Sequence, residues 1–313
     1  MPHYLLIGAG FTRNWGGPLS DEITGSLLGE LHDDPQLAAA LRRGPFEEAF
    51  QGFQTPTGSS EEVTRLRRFQ NAVTELFLRL NRTLLLKQFE FNNDLEFSVK
   101  KFLARFDAIF SLNQDLLLEI QYMQTFVQER KWSGVVIPGM QASPPSNAPG
   151  PIDCTMWTWR PAENIDAAPQ FQPLYKLHGS SNWMTASGEP LLIMGNVKTD
   201  SIERFGVLRN YHDRFAALLN QTNARLMVIG YSFQDAHINS VIESAWRQHG
   251  LGTYLVDPRG RDVLIDPKEA RAAIRPKRDI EDIKLIGELR RPLSSVFAGD
   301  TFAHGELLRF FRN

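Results

Sequence analysis

The chain opens with a short apolar stretch that ends in glycines and a threonine, an arrangement that can hold a phosphate. The sequence predicts a buried strand over Tyr4 to Gly8, a tight turn over Gly8-Ala9-Gly10-Phe11-Thr12, and a helix over Asp21 to Leu31. Backbone N–H groups at such a junction can face a phosphate. A plain glycine turn explains the same residues, because Arg13 stands where the dinucleotide fingerprint has its third glycine.

Four later predicted strands also end in residues that could bind or cut a nucleotide. These residues are Asn113 with Asp115, His178 with Ser180, Ser232, and Asp257. Strands that alternate with helices form a mostly parallel sheet, and ligands of such sheets bind at the carboxyl ends of the strands. We therefore expect these side chains and Thr12 to converge on one crevice.

The predicted strands and helices that position these residues alternate along the chain, which indicates an α/β fold. We expect a Rossmann-like, mostly parallel sheet with helices on both faces and a helical insertion between the first two strands. The clearest helix of the insertion carries apolar residues at steps of three and four, namely Leu66, Phe69, Val73, Leu76, Leu80 and Leu84. A further helix is predicted over Asp279–Leu289, and an irregular, proline-rich loop over 138–153.

These patterns divide the chain into three parts. Residues 1–34 and 107–260 form the predicted Rossmann-like core, and residues 35–106 form the helical insertion. Residues 261–313 form a C-terminal segment. Since the insertion and this segment lie outside the common core, we expect them to make oligomer or partner contacts.

Composition and charge exclude several classes of protein. A hydrophobic content of 42% is ordinary for a folded globular chain, and a net charge of −2 argues against non-specific nucleic-acid binding. Cys154 is the one cysteine, so neither a disulfide framework nor a cysteine-rich zinc site can form within the chain. No apolar run reaches the length of about 18 residues that predicts a membrane span. We therefore expect a cytoplasmic protein with no direct nucleic-acid or membrane partner.

Taken together, the motifs resemble those of the sirtuin (SIR2) family. Gly8 to Thr12, followed by Gly16-Gly17-Pro18, is similar to the signature Gly-Ala-Gly-x-Ser-x-x-x-Gly-Ile-Pro. Ser111-Leu112-Asn113-Gln114-Asp115 is similar to the Thr-Gln-Asn-x-Asp element. Leu177-His178-Gly179-Ser180 resembles the His-Gly element, and Gly230-Tyr231-Ser232-Phe233 the late Gly-Thr-Ser-Leu turn. The four motifs follow the family's order, each at a predicted strand end.

Departures from the sirtuin pattern narrow the resemblance to one branch. Sirtuin deacetylases carry a four-cysteine zinc module, which a single cysteine cannot build, and Leu19-Ser20-Asp21 replaces their Asp-Phe-Arg. The chain is more similar to the SIR2-like proteins of bacterial anti-phage defence, which hydrolyse NAD and so deplete it in infected cells. That resemblance implies NAD as substrate, no metal, a homo-oligomer, and a companion such as a HerA-type ATPase or a short Argonaute.

The resemblance also implies a role for each site residue. Among the catalytic residues, Asn113 would order the attacking water and the ribose, and Asp115 would hold the nicotinamide end. His178 would act as base on the ribose hydroxyls, a task that suits a reference pKa of about 6.5. The implied cofactor-binding residues are Gly8, Ala9, Gly10, Phe11, Thr12, Gly230, Ser232 and Asp257.

Simpler interpretations of the same residues stay open from the sequence. His178 could be a strand-end histidine bonded to backbone, and Asn113 and Asp115 could be turn residues. We interpret Asp235 as a plain helix N-cap. The competing functions are a sensor of NAD or ADP-ribose and a zinc-free, NAD-dependent protein deacylase.

Two other groups of residues receive no firm role. Arg13-Asn14-Trp15 forms either a cover over the ligand or a solvated loop. The remaining histidines show no ligand spacing: His3, His32, His212, His237, His249 and His304.

Overall fold

The computed structural model describes residues 1–53, 60–126, 128–144, 156–193, 202–265 and 283–312. Cys154 lies outside these ranges. The strands in chain order are β1 (His3–Ile7), β2 (Ala108–Ser111), β3 (Gly134–Val136), β4 (Met140–Ser143), β5 (Thr158–Pro161), β6 (Phe171–Lys176), β7 (Gly179–Met184), β8 (Pro190–Leu192), β9 (Arg225–Ile229), β10 (Gly252–Val256) and β11 (Leu285–Leu289).

Seven of these strands form a parallel sheet in the order β11-β10-β9-β1-β2-β6-β3. β1 lies at its centre, between β2 and β9. These three strands are almost wholly buried, as apolar runs covered on both faces should be. The α/β, mostly parallel fold predicted from the sequence is confirmed.

Helices surround this sheet and fill the connection between β1 and β2. They are α1 (Ala9–Thr12), α2 (Ser20–Glu30), α3 (Pro35–Arg43), α4 (Phe46–Gln51), α5 (Ser60–Leu85), α6 (Val99–Leu103), α7 (Gly206–Leu219), α8 (Ala236–His249), α9 (Leu293–Val296) and α10 (Thr301–Leu308). A π-helix spans Glu119–Met123, after β2. In the described ranges, no helix has both the length and the apolar character needed to cross a bilayer.

The helices between β1 and β2 have a hydrophobic core of their own. It is built from Ile23, Leu27, Leu31, Leu37, Leu41, Phe46, Ala49, Phe50, Phe69, Val73, Leu76 and Phe77. Helix α2, which precedes the predicted insertion at residue 35, thus packs with the insertion. The predicted limits of the three parts stay predictions.

Two stretches differ from the sequence-based expectation. The described end of the predicted helix Asp279–Leu289 is strand β11, which pairs with β10 at the edge of the sheet. Within the predicted irregular loop, Met140–Ser143 forms β4 of a second sheet in the order β4-β5-β7-β8. In both stretches, pairing with a neighbouring strand overrides weak local preference. In this second sheet β7 and β8 run antiparallel on either side of Ser187-Gly188.

Candidate active site

The register of the sheet brings the predicted site residues to one edge. Ser111 at the end of β2 pairs with both Ile7 of β1 and Lys176 of β6. Asn113 lies two residues after Ser111, and His178 lies two residues after Lys176, so both follow neighbouring strands at the same register position. They lie at the carboxyl-end edge of the sheet, as expected from the sequence.

Asn113 is held by two hydrogen bonds from its side-chain amide nitrogen. Nδ2 donates to the Gly8 carbonyl at 3.0 Å and to Thr12 Oγ1 at 3.0 Å. Thr12 Oγ1 in turn donates to Asp115 Oδ2 at 2.9 Å. Because the Gly8 carbonyl can only accept, the orientation of the amide is fixed, with both hydrogens used. The amide oxygen Oδ1 is the group left to meet a ligand or a water.

A water-sized cavity borders this network. Its volume is about 10 Å³, close to the minimum that a single water molecule needs. The polar part of its wall is formed by Thr12, Ser111, Asn113, Asp115, Glu119 and Lys176.

The glycines of the opening turn allow two backbones to touch. Gly8 N–H donates to the Ile229 carbonyl at 3.0 Å, and Gly10 N–H donates to the Gly230 carbonyl at 2.9 Å. A Cβ on Gly8 would lie 2.6 Å from the Gly230 oxygen, and one on Gly10 would lie 2.6 Å from the Gly230 Cα. Gly230 has a φ of 62°, which favours glycine. Close packing therefore requires these glycines, and their part in a phosphate cradle stays a prediction.

Gly10→Ala should destabilise the protein by about 1–3 kcal/mol, because the added methyl group meets backbone that cannot move aside. Gly25→Ala is the matched control, since Gly25 lies exposed in α2 with open space around it. The control should gain about 0.5–1 kcal/mol from helix propensity. Urea unfolding of both variants measures the difference, and equal stabilities would contradict the close approach of β1 and β9.

A buried lysine anchors the two loops that carry Asn113 and His178. Lys176 is 1% exposed, and Nζ donates to the Asp115 carbonyl at 2.6 Å, to Glu119 Oε1 at 2.6 Å and to Ser180 Oγ at 2.7 Å. These bonds use all three ammonium hydrogens. Burial raises the pKa of Glu119, and the Lys176 charge opposes that rise.

The helical insertion reaches the same loops through Asn81 of α5. This side chain is 3% exposed; its Nδ2 donates to Ser181 Oγ at 3.0 Å, and its Oδ1 accepts from the Leu116 amide at 3.0 Å. One amide on the insertion thus contacts both the loop after β2 and strand β7. A displacement of α5 would therefore be transmitted to the site.

Asp115 lies beneath the surface, where it accepts hydrogen bonds from Thr12 and from the Leu117 amide. Burial raises the pKa of its carboxyl group above the ordinary value, while the Lys176 charge and these hydrogen bonds oppose the rise. In the unfolded chain an aspartate ionises near pH 3.9. The folded state therefore keeps the proton to higher pH, and this group favours folding less as the pH rises.

Asp115→Asn should remove that pH dependence. As the pH rises from about 4 to 7, the wild type should lose stability relative to the variant, because only the wild type must ionise a buried carboxyl group. Urea unfolding at a series of pH values measures the difference between the two proteins. A difference that stays constant or moves the other way would contradict the raised pKa.

His178 lies against a histidine that the sequence did not single out. His178 is 3% exposed, and its Nε2 lies 3.1 Å from His237 Nε2 at the start of α8. One ligand atom each from His178, His237 and Asp235 lie within 4.8 Å of one another. Since His178 and His237 are 59 residues apart in the chain, no local spacing reveals the contact. Asp235 occupies the N-cap position, but its side chain makes no capping hydrogen bond, contrary to the expectation.

The turn after β9 is held in an unusual conformation. Phe233 has a positive φ of 57°, and its carbonyl accepts from Asn239 Nδ2 at 2.9 Å. Tyr231 OH donates to Asn239 Oδ1 at 3.0 Å. Backbone strain of this kind is concentrated at functional sites. Ser232 is exposed on this turn, where a ligand can reach it.

Other predicted binding residues have structural partners. Asp257 follows β10 and accepts a hydrogen bond from the Arg259 amide at 2.8 Å, and burial raises the pKa of its carboxyl group.

Phe11 is fully buried and packs on Trp15 with ring centroids 5.1 Å apart, so its side chain belongs to the core. Trp15 is itself 3% exposed, which makes it neither a ligand cover nor a solvated loop residue. Ala9 is exposed at the turn.

Comparison with known protein families identifies the family of the chain. The SIR2-like domain family matches residues 107–283, more than half of the chain. This chain belongs to the SIR2-like domain family. No curated protein is similar enough to the chain to count as a match.

Membership implies NAD binding and NAD-dependent enzyme activity in general terms. The matched range of the SIR2-like domain contains the strand-end motifs around Asn113, His178 and Ser232. It does not contain the opening turn, whose link to the domain is its contact with Asn113 and with the end of β9. The individual roles of the site residues stay predictions.

Proposed function

We propose that this SIR2-like protein is an NAD⁺ hydrolase that cleaves the nicotinamide–ribose bond to give nicotinamide and ADP-ribose. The supporting observation is the arrangement of Asn113, whose amide nitrogen donates to Gly8 and Thr12 and so leaves Oδ1 as the group that would meet a ligand. Such fixed polar groups position reactants without reorganisation. A water-sized cavity borders the same side chain.

The reaction needs little besides positioning and one base. The C1′–N bond breaks as the sugar becomes oxocarbenium-like, and nicotinamide leaves as a neutral molecule with the bonding electron pair. Asn113 Oδ1 would orient the water whose oxygen forms the new bond to C1′. His178 would accept the proton that is released, and Asp115 would support the site through its hydrogen bond to Thr12.

The remaining cofactor contacts follow from the positions of the strand ends. The turn with Ala9 and Thr12 and the turn with Ser232 meet across the contact of Gly10 with Gly230. Both would receive the phosphates, and Asp257 would receive a ribose hydroxyl group. Lys176 bonds the Asp115 carbonyl and the Ser180 hydroxyl group, and these bonds would keep the site organised before NAD binds.

Incubation of the purified protein with NAD⁺, followed by chromatography of nicotinamide and ADP-ribose, tests the proposal. Equal amounts of the two products should accumulate. Binding of NAD⁺ by calorimetry without any turnover, also in the presence of a companion protein, would instead support a sensor. Turnover that occurs only with an acylated peptide would support a deacylase.

We also propose that the hydrolase acts in antiviral defence, where depletion of NAD halts the infected cell. Such an activity must be restrained until infection, which favours a homo-oligomer and a companion such as a HerA-type ATPase or a short Argonaute. The contact of Asn81 with the catalytic loops gives the insertion a route to the site. Light scattering after size exclusion tests the oligomer, and a strict monomer at micromolar concentration would refute it.

A further inference from the structure

Two imidazole nitrogens face each other at the candidate site. His178 Nε2 and His237 Nε2 are 3.1 Å apart, with ring centroids at 5.3 Å and an angle of 46° between the ring planes. Two nitrogens so close need a proton or a cation between them. Two histidines that bind one tetrahedral Zn²⁺ at about 2.0–2.1 Å have their nitrogens about 3.3 Å apart. The observed separation fits that requirement.

A carboxylate completes a three-ligand set. Asp235 places one oxygen within 4.8 Å of both histidine nitrogens, and its side chain does not cap α8. Coordination would require this oxygen to approach by about 1–2 Å, a distance that rotation of an aspartate side chain can supply. Two histidines and a carboxylate, with a fourth position for water or substrate, are a common zinc ligand set.

A third histidine lies beside the pair. His212 lies behind His237 with ring centroids 5.3 Å apart, and its Nε2 donates to the Leu177 carbonyl at 3.0 Å. With this nitrogen bonded to the backbone, His212 stays outside the ligand set, which consists of His178, Asp235 and His237.

We propose that His178, Asp235 and His237 bind a divalent transition-metal ion of the zinc type, and that this ion inhibits the enzyme. The inhibitory part rests on the proposed NAD hydrolysis, in which His178 serves as base. A metal bound at Nε2 occupies the lone pair with which that nitrogen would accept a proton. The ion would therefore hold the base inactive.

Zn²⁺ titrated into the chelator-treated full-length protein tests the site by calorimetry. We expect one Zn²⁺ per chain, and affinity lower by about 10-fold or more in Asp235→Asn and in His237→Gln. His249→Ala is the matched control, because His249 is exposed at the other end of α8 and should bind Zn²⁺ as the wild type does. Circular dichroism verifies that each variant is folded.

The inhibitory effect is read as the ratio of NAD hydrolysis rates with and without Zn²⁺ for the same variant. That ratio should fall well below one for the wild type and for His249→Ala, and return toward one for His237→Gln. Zinc binding without any NAD hydrolysis would support the metal site and contradict the proposed function. Hydrolysis without zinc binding, or equal binding by all folded variants, would overturn the metal site and leave a shared proton between the histidines.

Discussion

Asn113→Ala should lower the rate of NAD hydrolysis by about 100-fold or more, the loss expected when a positioning group is removed. The alanine has no oxygen with which to orient the water, and it also removes the donor that bonds Gly8 and Thr12. The Gly8 carbonyl keeps its hydrogen bond from the Phe11 amide, so each lost bond should cost only about 0.5–1.5 kcal/mol of stability. Initial rates of nicotinamide release at saturating NAD⁺, with circular dichroism of the same samples, measure both effects.

A second asparagine provides the control for Asn113→Ala. Asn92 also uses its side chain to bond backbone, at the Ala298 carbonyl and the Asp94 amide, and neither partner belongs to a motif of the site. Asn92→Ala should therefore hydrolyse NAD at the wild-type rate. His178→Ala should lose about 100- to 10,000-fold, the usual contribution of a general base. Full activity in both Asn113→Ala and His178→Ala would refute the site.

Lys176→Met should destabilise the fold by about 3–5 kcal/mol, because it leaves the buried Glu119 carboxylate without its cation. Both side chains are almost inaccessible, at 2% and 3% exposure. The loss should exceed that of an exposed pair, because bulk water does not solvate the buried charge that is left. Urea unfolding at neutral pH measures the change in the free energy of unfolding.

Two further variants separate the charge from the packing. Lys131→Met breaks the exposed Lys131–Asp107 pair and should cost less than about 1 kcal/mol. The double variant Lys176→Met/Glu119→Leu removes both charges and should recover much of the loss. If Lys176→Met lost no more stability than Lys131→Met, the ion pair would not anchor the loops.

The sequence predicts the centre of the sheet well and its β11 edge poorly. β1, β2, β9 and β10 are detected because fully buried parallel strands are continuous apolar runs. Among the described strands β11 pairs with β10 alone, and partly buried residues alternate with exposed ones along it, so this short stretch is readily taken for a helix. Gly287 in β11 leaves room for the ring of Tyr254, which would lie 2.5 Å from a Cβ at this position. The sequence cannot reveal this contact, because folding brings the two residues together.

The candidate site shows the same division between local and long-range information. Asn113 and His178 are detectable because each follows an apolar strand directly, and parallel strands end at one edge. His237 is not detectable from the sequence, since its partner His178 follows β6 and only the position of α8 brings the two side chains together. The glycine turn is visible in the sequence, but its partners are not, because the carbonyl groups that accept from Gly8 and Gly10 belong to residues more than 200 positions away.

Hydrolysis of NAD⁺ in water enriched in heavy oxygen tests the central claim most directly. If Asn113 orients water toward C1′, ADP-ribose should carry one heavy oxygen atom and form in equal amount with nicotinamide. The Asn113→Ala/His178→Ala double variant should yield neither product above background. Absence of products from the folded wild type with its companion present, or wild-type yield from the double variant, would contradict NAD hydrolysis at this site.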